Sequence, residues 1–401
     1  MNPVRSLAGA AAVLLLISGC GSSGSPSIAA SAAAVTSSGA ASSASPSVAP
    51  AVTTYRGDAA RTGLMPGPGP AGATAVAWTF KAGAPIGSSP AVVGGTVFVL
   101  GNDGVVHALA LASGVEIWRT SLGADATGSP LVSAGLVIVG DSKGIVHALA
   151  ATDGSARWTV PTDGPIAGAA AADGDVVIVA TRTGSAYAIE VAGGTARWRT
   201  AVGGDVGSSV AIANGTVYLG AGPNLVALAV ADGRIRWKQD MSAVGRIGTP
   251  TVAGGLVFAA TGLDGGDASV YGVAALDEGT GAARWRFKSS TRAVVYTPAV
   301  VSGRAYIVGE DRRVTALDAA TGTTIWSTAT EQVDEAVPAV VDGLVYVAGN
   351  GGAMNVLDAA TGAIRWTVAY RGVPYGPTVV GGYVLVGTDL GTLIAIGGSA
   401  Q

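Results

Sequence analysis

Residues 338–368 decide the fold, and they read PAVVDGLVYVAGNGGAMNVLDAATGAIRWTV. This segment contains four β-rich runs, at 338–341, 344–348, 353–358 and 363–368, and each junction between runs contains a glycine. Short runs of β-branched and aromatic residues between glycine-containing turns are typical of antiparallel strands. The segment therefore predicts a meander of four short strands, with Trp366 in the last one.

The same segment recurs along the chain, and a tryptophan marks each copy. Successive tryptophans are 40, 40, 40, 39, 48, 41 and 40 residues apart, at Trp78, Trp118, Trp158, Trp198, Trp237, Trp285, Trp326 and Trp366. A period of this length indicates a repeat architecture. Because every indole occupies the same position in its copy, we expect a structural docking role between neighbouring repeats, where each buries ~150–250 Å².

The pattern inside each strand shows how the repeats are arranged. Several strands are apolar on both faces, as in 97–100, and must be covered on both sides. Radial stacking of four-stranded sheets provides that cover. The strand around Trp78 precedes eight sets of three strands, and the last set lacks a fourth. We therefore predict an all-β, eight-bladed β-propeller of four-stranded antiparallel blades, closed by pairing of the Trp78 strand with the C-terminal blade.

The first hairpin turn of each blade is less uniform than the tryptophan pattern. Asn214-Gly215 and Asp342-Gly343 suit a type I′ turn, in which both central residues have positive φ. Ala134 and Ser302 stand at the first of these positions in two other blades and suit it less well. The turn type at these two sites is left open.

The N-terminal region differs from the repeats in composition. Arg5 precedes an apolar run at 7–17, and Ile17-Ser18-Gly19-Cys20 resembles a bacterial lipobox, which implies cleavage before Cys20 and lipidation of its thiol. The alternative is an ordinary secretory signal followed by an incidental cysteine. Residues 21–54 contain no charged or aromatic side chain, which indicates a flexible tether. We predict a signal peptide (1–19), a lipidated Cys20 with its tether (20–54), and a propeller (55–401) on the extracytoplasmic face of the membrane.

Composition excludes several classes of function. The net charge is −3 and there is no basic run, so the electrostatic footprint of a nucleic-acid-binding protein is missing. Cys20 is the only cysteine, which excludes an internal disulfide and a cysteine-ligated zinc site. Only two histidines are present. We expect no catalytic residue, no bound metal and no cofactor.

Two segments carry a family resemblance. Residues 317–322 and 357–362 both read Leu-Asp-Ala-Ala-Thr-Gly and lead to a tryptophan four residues later, which resembles the pyrroloquinoline-quinone-type propeller repeat with its tryptophan-docking motif. Residues 55–63, which read YRGDAARTG, are similar to the lead-in before the first blade of such proteins. The resemblance implies either a quinoprotein dehydrogenase or a binding propeller like the outer-membrane assembly lipoprotein BamB. Many dehydrogenases of this type carry a vicinal cysteine pair, which this chain cannot form.

Other candidate motifs favour structural roles. His107 and His147 occupy the same position in two repeats and are interpreted as strand residues. Residues 140–144 match G-x-S-x-G, but a nucleophile elbow needs a strand-to-helix turn, and this segment joins two strands. Arg56-Gly57-Asp58 is interpreted as a latch in the lead-in. The insertion at 263–269 in the fifth repeat is interpreted as a decorated loop, with a functional role left open.

Tyrosine and arginine cluster in the loops of the last three repeats. Both residue types are favoured at binding hot spots. We predict a partner-binding face on one rim, formed by Arg292, Tyr296, Arg312, Arg313, Tyr370, Arg371 and Tyr375. The sequence favours a monomeric, non-catalytic scaffold for an envelope protein or peptide. The alternatives are a quinoprotein-like oxidoreductase and a polysaccharide- or small-ligand-binding module.

Overall fold

The computed structural model describes residues 51–72, 75–245, 247–261, 271–289, 296–330, 336–350 and 352–397. Cys20, the signal peptide, most of the tether, the 263–269 insertion and Arg292 lie outside these residues. Within the described residues, none of the helices has the length and apolar character needed to cross a membrane.

The described chain forms eight antiparallel sheets of four strands each, with one short 3-10 helix at Ser242–Val244. Blades 1 to 4 follow in chain order: β2 (Ala91–Val93), β3 (Thr96–Leu100), β4 (Val105–Ala110) and β5 (Glu116–Ser121); β6 (Leu131–Ser133), β7 (Leu136–Gly140), β8 (Ile145–Ala150) and β9 (Ala156–Pro161); β10 (Ala171–Asp173), β11 (Val176–Ala180), β12 (Ser185–Glu190) and β13 (Ala196–Ala201); β14 (Ala211–Ala213), β15 (Thr216–Ala221), β16 (Asn224–Ala229) and β17 (Ile235–Asp240).

Blades 5 to 8 repeat this order, and the last blade takes its fourth strand from the N-terminal side: β18 (Thr251–Ala253), β19 (Leu256–Thr261), β20 (Gly272–Asp277) and β21 (Ala283–Lys288); β22 (Ala299–Val301), β23 (Arg304–Gly309), β24 (Arg313–Asp318) and β25 (Thr324–Ala329); β26 (Ala339–Val341), β27 (Leu344–Gly349), β28 (Ala353–Asp358) and β29 (Ile364–Ala369); β30 (Thr378–Val380), β31 (Tyr383–Gly387), β32 (Thr392–Gly397) and β1 (Val76–Lys81).

The chain ends meet in blade 8. The strand that carries Trp78 pairs antiparallel with β32, with Trp78 opposite Ala395 and Lys81 opposite Thr392. The sheet order is β1-β32-β31-β30, which is the arrangement predicted from the unmatched first strand. Every blade therefore has four strands, and β32 has a partner on both sides.

The tryptophans lie on the blade that follows their own. Seven indole Nε1 groups donate to a carbonyl of the next blade over 2.7–3.2 Å, the indoles being Trp78, Trp118, Trp158, Trp198, Trp237, Trp285 and Trp326. Each of these rings also covers a glycine, and a Cβ at Gly322 would lie only 2.6 Å from Cε3 of Trp285. Apolar clusters fill the rest of the space between blades, as where Ile178 of blade 3 packs with Val217 of blade 4.

The first central residue of the first hairpin turn has positive φ even where it is alanine or serine, which disfavour that conformation. Ala134 has φ 46° and Ser302 has φ 50°, like Asn214 at 49°. Packing of the blade thus overrides the local preference of alanine and serine. Blade 3 differs, because Gly174 takes the first turn position instead of the second.

The folded unit also begins before the predicted boundary at residue 55. Val52 is fully buried and pairs with Val92 of β2, and Thr54 is buried as well. Residues 52–54, which the composition assigned to the tether, are therefore part of the propeller.

Candidate functional site

The first strand of each blade lines the central channel and has an edge with no neighbouring strand. The lead-in, residues 51–68, supplies the missing partner. Its carbonyl oxygens accept from the backbone N–H groups of Val92, Val132, Ile212, Val252, Val300, Val340 and Gly381, over 2.7–3.2 Å. In blade 3 the Thr54 hydroxyl donates to the Ala170 carbonyl instead. The lead-in is thus bonded to all eight blades, from blade 1 at Val52 to blade 8 at Gly67.

Arg61 is the centre of this arrangement and is fully buried. Its guanidinium donates to five uncharged oxygens, namely Thr54 Oγ1 and the carbonyls of Tyr55, Ala169, Ala170 and Val210. Burial disfavours the charged form and lowers the pKa of Arg61 to about 10. The cation is therefore held by backbone dipoles and ties blades 3 and 4 to the lead-in.

Arg56 extends the arrangement to the other side of the ring. Its Nε donates to the Arg61 carbonyl at 3.0 Å and its Nη2 to the Pro298 carbonyl before β22. Burial lowers the pKa of Arg56 too. Both arginines have φ 62°, a left-handed conformation that L-residues adopt rarely. The geometry agrees with the interpretation of Arg56-Gly57-Asp58 as a latch.

The opposite end of the channel is an open cavity of about 320 Å³, here called the mouth. Its described lining contains no Asp, Glu, Lys or Arg. The polar lining residues are Tyr55, Ser88, Ser89, Thr127, Ser129, Ser209, Tyr296, Asn350 and Tyr375. The described part of the lining is therefore uncharged and rich in hydroxyl groups.

A belt of hydroxyl groups at the mouth joins neighbouring blades. Ser129 Oγ accepts from Ser89 N at 3.0 Å, and Ser209 Oγ accepts from Ala169 N at 2.9 Å. Thr249 Oγ1 accepts from Ser209 N in the same way. Sequence reasoning missed this belt, although a signal was present, because a Ser or Thr stands two residues before the first strand in five of the repeats, at 89, 129, 209, 249 and 297.

Tyr296 and Tyr375 share one repeat position, and both line the mouth. The other six blades have a small residue there, namely Ser88, Gly128, Gly168, Ser208, Gly248 and Ala336. Small residues are required where blades come close together, since a Cβ at Gly168 would collide with the Ser208 carbonyl. Tyr55, which the sequence analysis did not select, joins them from the lead-in.

The residues of the predicted partner-binding face differ in their exposure and in their hydrogen bonds. Arg312 and Arg371 are exposed but do not line the mouth. Tyr370 is buried, its hydroxyl donates to the Gly349 carbonyl at 2.7 Å, and burial raises its pKa. Arg313 donates from Nε and Nη2 to Ser327 in the outer strand β25. Tyr370 and Arg313 thus use their polar groups within the blade, which contradicts their assignment to a free binding face.

The two histidines lie in separate blades, each beside a carboxylate. His107 Nδ1 is 2.6 Å from Glu116 Oε1, and His147 Nε2 is 2.9 Å from Asp141 Oδ2. Ser142 of the G-x-S-x-G match lies between β7 and β8, not before a helix. The part of the chain that the structure describes contains no cluster of three or more His, Cys, Asp or Glu side chains suited to a metal ion.

Solved structures with the same architecture include BamB, a designed protein and an alcohol dehydrogenase. BamB from Moraxella catarrhalis is 20% identical, with a TM-score of 0.67 over 81% of this chain and 99% of that one. The computationally designed Ika8 protein is 14% identical, with a TM-score of 0.70 over 81% of this chain and 100% of that one. Quinohemoprotein alcohol dehydrogenase from Comamonas testosteroni is 15% identical, with a TM-score of 0.67 over 88% and 82% of the two chains. These likenesses show the fold alone.

Comparison of the sequence with family models identifies the family. No curated protein sequence matches the chain. A family model described as outer membrane protein assembly factor BamB matches residues 71–209, 182–273 and 271–400, which together include all eight blades. The chain therefore belongs to the family described as outer membrane protein assembly factor BamB.

Proposed function

We propose that the protein is an exported, lipid-anchored and non-catalytic scaffold that binds an envelope protein or peptide at the channel mouth. The observation that carries the proposal is the asymmetry of the channel. One end is filled by the lead-in and its buried arginines, whereas the other is open and lined by Tyr55, Tyr296 and Tyr375. Membership of a family described as an assembly factor supports a binding role.

The chemistry of the mouth favours binding over catalysis. General acid–base catalysis needs a group whose pKa lies near the working pH. Among the described lining residues, only the tyrosines carry a titratable side chain. The serine hydroxyls of the belt hold backbone N–H groups of adjacent blades, which gives them a structural use.

Pyrroloquinoline quinone, which the propeller type implies, does not fit the described lining. The cofactor carries three carboxylates, and buried carboxylates require cationic partners. The mouth offers none among its described residues. Arg61 donates to five oxygens of the protein, and Arg56 donates to backbone carbonyls from Nε and Nη2, with only its Nη1 buried without a partner. This mismatch supports the scaffold proposal over a quinoprotein oxidoreductase.

Tyr296 and Tyr375 are the side chains expected to dominate partner affinity. A tyrosine gives a large rigid surface and a polar tip, and hot-spot truncation costs ~2 kcal/mol or more. Tyr375 is 38% exposed, so a partner can cover it without any change in the blades. Arg371 is exposed four residues before Tyr375, and we propose that it also contacts the partner, at the rim of the mouth.

The test is a quantitative affinity measurement with a purified envelope protein recovered by the full-length chain in detergent. We expect Tyr296→Ala and Tyr375→Ala each to weaken binding by about 30-fold. Ile117→Ala is the matched control, because Ile117 is 54% exposed on the outer strand β5, away from the mouth. Wild-type affinity in both tyrosine variants would contradict the proposal, as would dye-linked alcohol oxidation with quinone and Ca²⁺.

A further inference from the structure

The size of the mouth restricts what can enter it. Tyr55 of the lead-in is part of the cavity wall, next in the chain to the buried Arg56. A cavity of about 320 Å³ is at the small end of the range for ligand sites, roughly 300–1,000 Å³. We infer that the mouth admits the tip of an uncharged peptide loop, an inference that rests on the function proposed above.

Electrostatics selects against charge in the entering tip. A charged group that loses its hydration must find an opposite charge or several strong hydrogen bonds. The described lining contains no Asp, Glu, Lys or Arg side chain. Of the two buried arginines of the lead-in, Arg61 already donates to five oxygens of the protein, and Arg56 donates to two backbone carbonyls. A loop tip that carries Asp, Glu, Lys or Arg therefore enters at a cost, and an uncharged tip does not.

The two belt hydroxyls that line the cavity, those of Ser129 and Ser209, determine which groups the tip presents. A serine hydroxyl has one donor and two acceptor lone pairs. In Ser129 and Ser209 one lone pair accepts from a backbone N–H of the neighbouring blade, so the O–H of each can donate into the cavity. Donors of this kind match carbonyl oxygens, and the tip of a peptide turn presents carbonyls that are not bonded within the loop.

The tyrosines and the hydroxyl donors stand on opposite sides of the ring. Ser129 precedes the first strand of blade 2 and Ser209 that of blade 4, whereas Tyr296 and Tyr375 precede those of blades 6 and 8. With eight blades in a closed ring, blade 2 faces blade 6 and blade 4 faces blade 8. A loop tip is thus held by hydroxyl groups on one side and by aromatic rings on the other.

The experiment selects phage-displayed, disulfide-constrained loops of seven random residues on the full-length chain in detergent. We expect the selected loops to be depleted in Asp, Glu, Lys and Arg. Ser129→Ala should weaken their binding about fivefold to tenfold, as for one lost hydrogen bond, and Ser129→Thr should restore it. Thr249→Ala is the matched control, because Thr249 accepts the same kind of backbone N–H but does not line the cavity. It should leave affinity unchanged.

Several results would overturn the inference. These are selection of charged loops, failure to select any loop, an equal effect of Ser129→Ala and Thr249→Ala, or Ser129-dependent binding of chitotetraose in place of peptides. The purified envelope partner separates this inference from the proposed function. If Tyr375→Ala weakens that partner but Ser129→Ala does not, the partner lies across the mouth without entering it, and only the inference fails. If neither weakens it, both fail.

Discussion

The two ends of the central channel are built from opposite chemistry. At the closed end, Arg56 and Arg61 are buried and donate to backbone carbonyls of several blades. At the open end the described lining is uncharged and consists of hydroxyl groups, small residues and tyrosines. Both ends lie inside the same ring of first strands. The difference therefore comes from the lead-in, which brings charge to one end only.

This contrast shows where the protein uses charge for stability and where it leaves a surface free for recognition. A buried cation is costly unless its donors are fully used, and Arg61 meets that condition with five acceptors. Such a group cannot also bind a ligand without breaking the ring. We therefore expect substitutions at the closed end to change folding, and substitutions at the open end to change binding.

The largest effect is expected from removing the lead-in. An in-frame deletion of residues 51–68 leaves the channel-facing edges of the first strands without partners, although β1 still completes blade 8. We expect the free energy of unfolding to fall by more than about 5 kcal/mol, which is comparable with the total stability of many domains. Urea denaturation followed by tryptophan fluorescence measures it. A deletion of residues 30–47 in the predicted tether is the control, and equal midpoints for the two deletions would contradict the role of the lead-in.

Arg61→Ala tests the closed end with one side chain. It removes the guanidinium donors of the Ala169, Ala170 and Val210 carbonyls. The Ala170 carbonyl keeps the Thr54 hydroxyl and the Ala169 carbonyl keeps the Val210 N–H, so the main cost is the buried Val210 carbonyl and the loss of the link between blades 3 and 4 and the lead-in. The expected loss of unfolding free energy is about 3–5 kcal/mol. Arg234→Ala is a suitable control, because the Arg234 side chain is 86% exposed in a surface ion pair with Asp232, and such pairs contribute at most about 1 kcal/mol. Similar unfolding midpoints for Arg61→Ala and Arg234→Ala would contradict the structural role of Arg61 at the closed end.

Tyr375→Ala probes the open end by the same measurement. Because Tyr375 is exposed in a loop, its truncation should change the unfolding free energy by less than about 0.5 kcal/mol, while partner affinity falls. Tyr370→Ala is the informative contrast, since Tyr370 is buried and its hydroxyl donates to the Gly349 carbonyl. The free energy of unfolding of Tyr370→Ala should be lower than that of the wild type by about 3–5 kcal/mol. If Tyr375→Ala destabilises the domain as much as Tyr370→Ala, the mouth is structural.

Cys20→Ser should have the smallest effect on the folded domain. The substitution removes the predicted lipidation site, which lies outside the described residues, so the unfolding midpoint should stay unchanged. We expect the variant to leave the membrane fraction, as judged by immunoblotting of fractionated cells. Retention of the variant in the membrane fraction would reject the lipid anchor.

The sequence by itself determined the eight-bladed architecture. The period of the tryptophans, the glycine turns and the unmatched Trp78 strand predicted four-stranded blades and the pairing of β1 with β32. These features could be predicted because each repeat carries the same local pattern, and a local pattern survives in the linear sequence. The two tyrosines of the mouth were predicted from the clustering of tyrosine and arginine in the loops of the last three repeats.

Only the tertiary structure decided which side chains meet at the channel. Tyr55 lies 241 residues before Tyr296, and the hydrogen bonds of the lead-in to the blades bring it into the same cavity. Tyr370 and Tyr375 are close in sequence, yet one is buried and the other exposed. Arg61 reaches the carbonyls of blades 3 and 4 for the same reason. Burial and hydrogen bonding at a channel depend on contributions from every blade, and no single repeat contains that information.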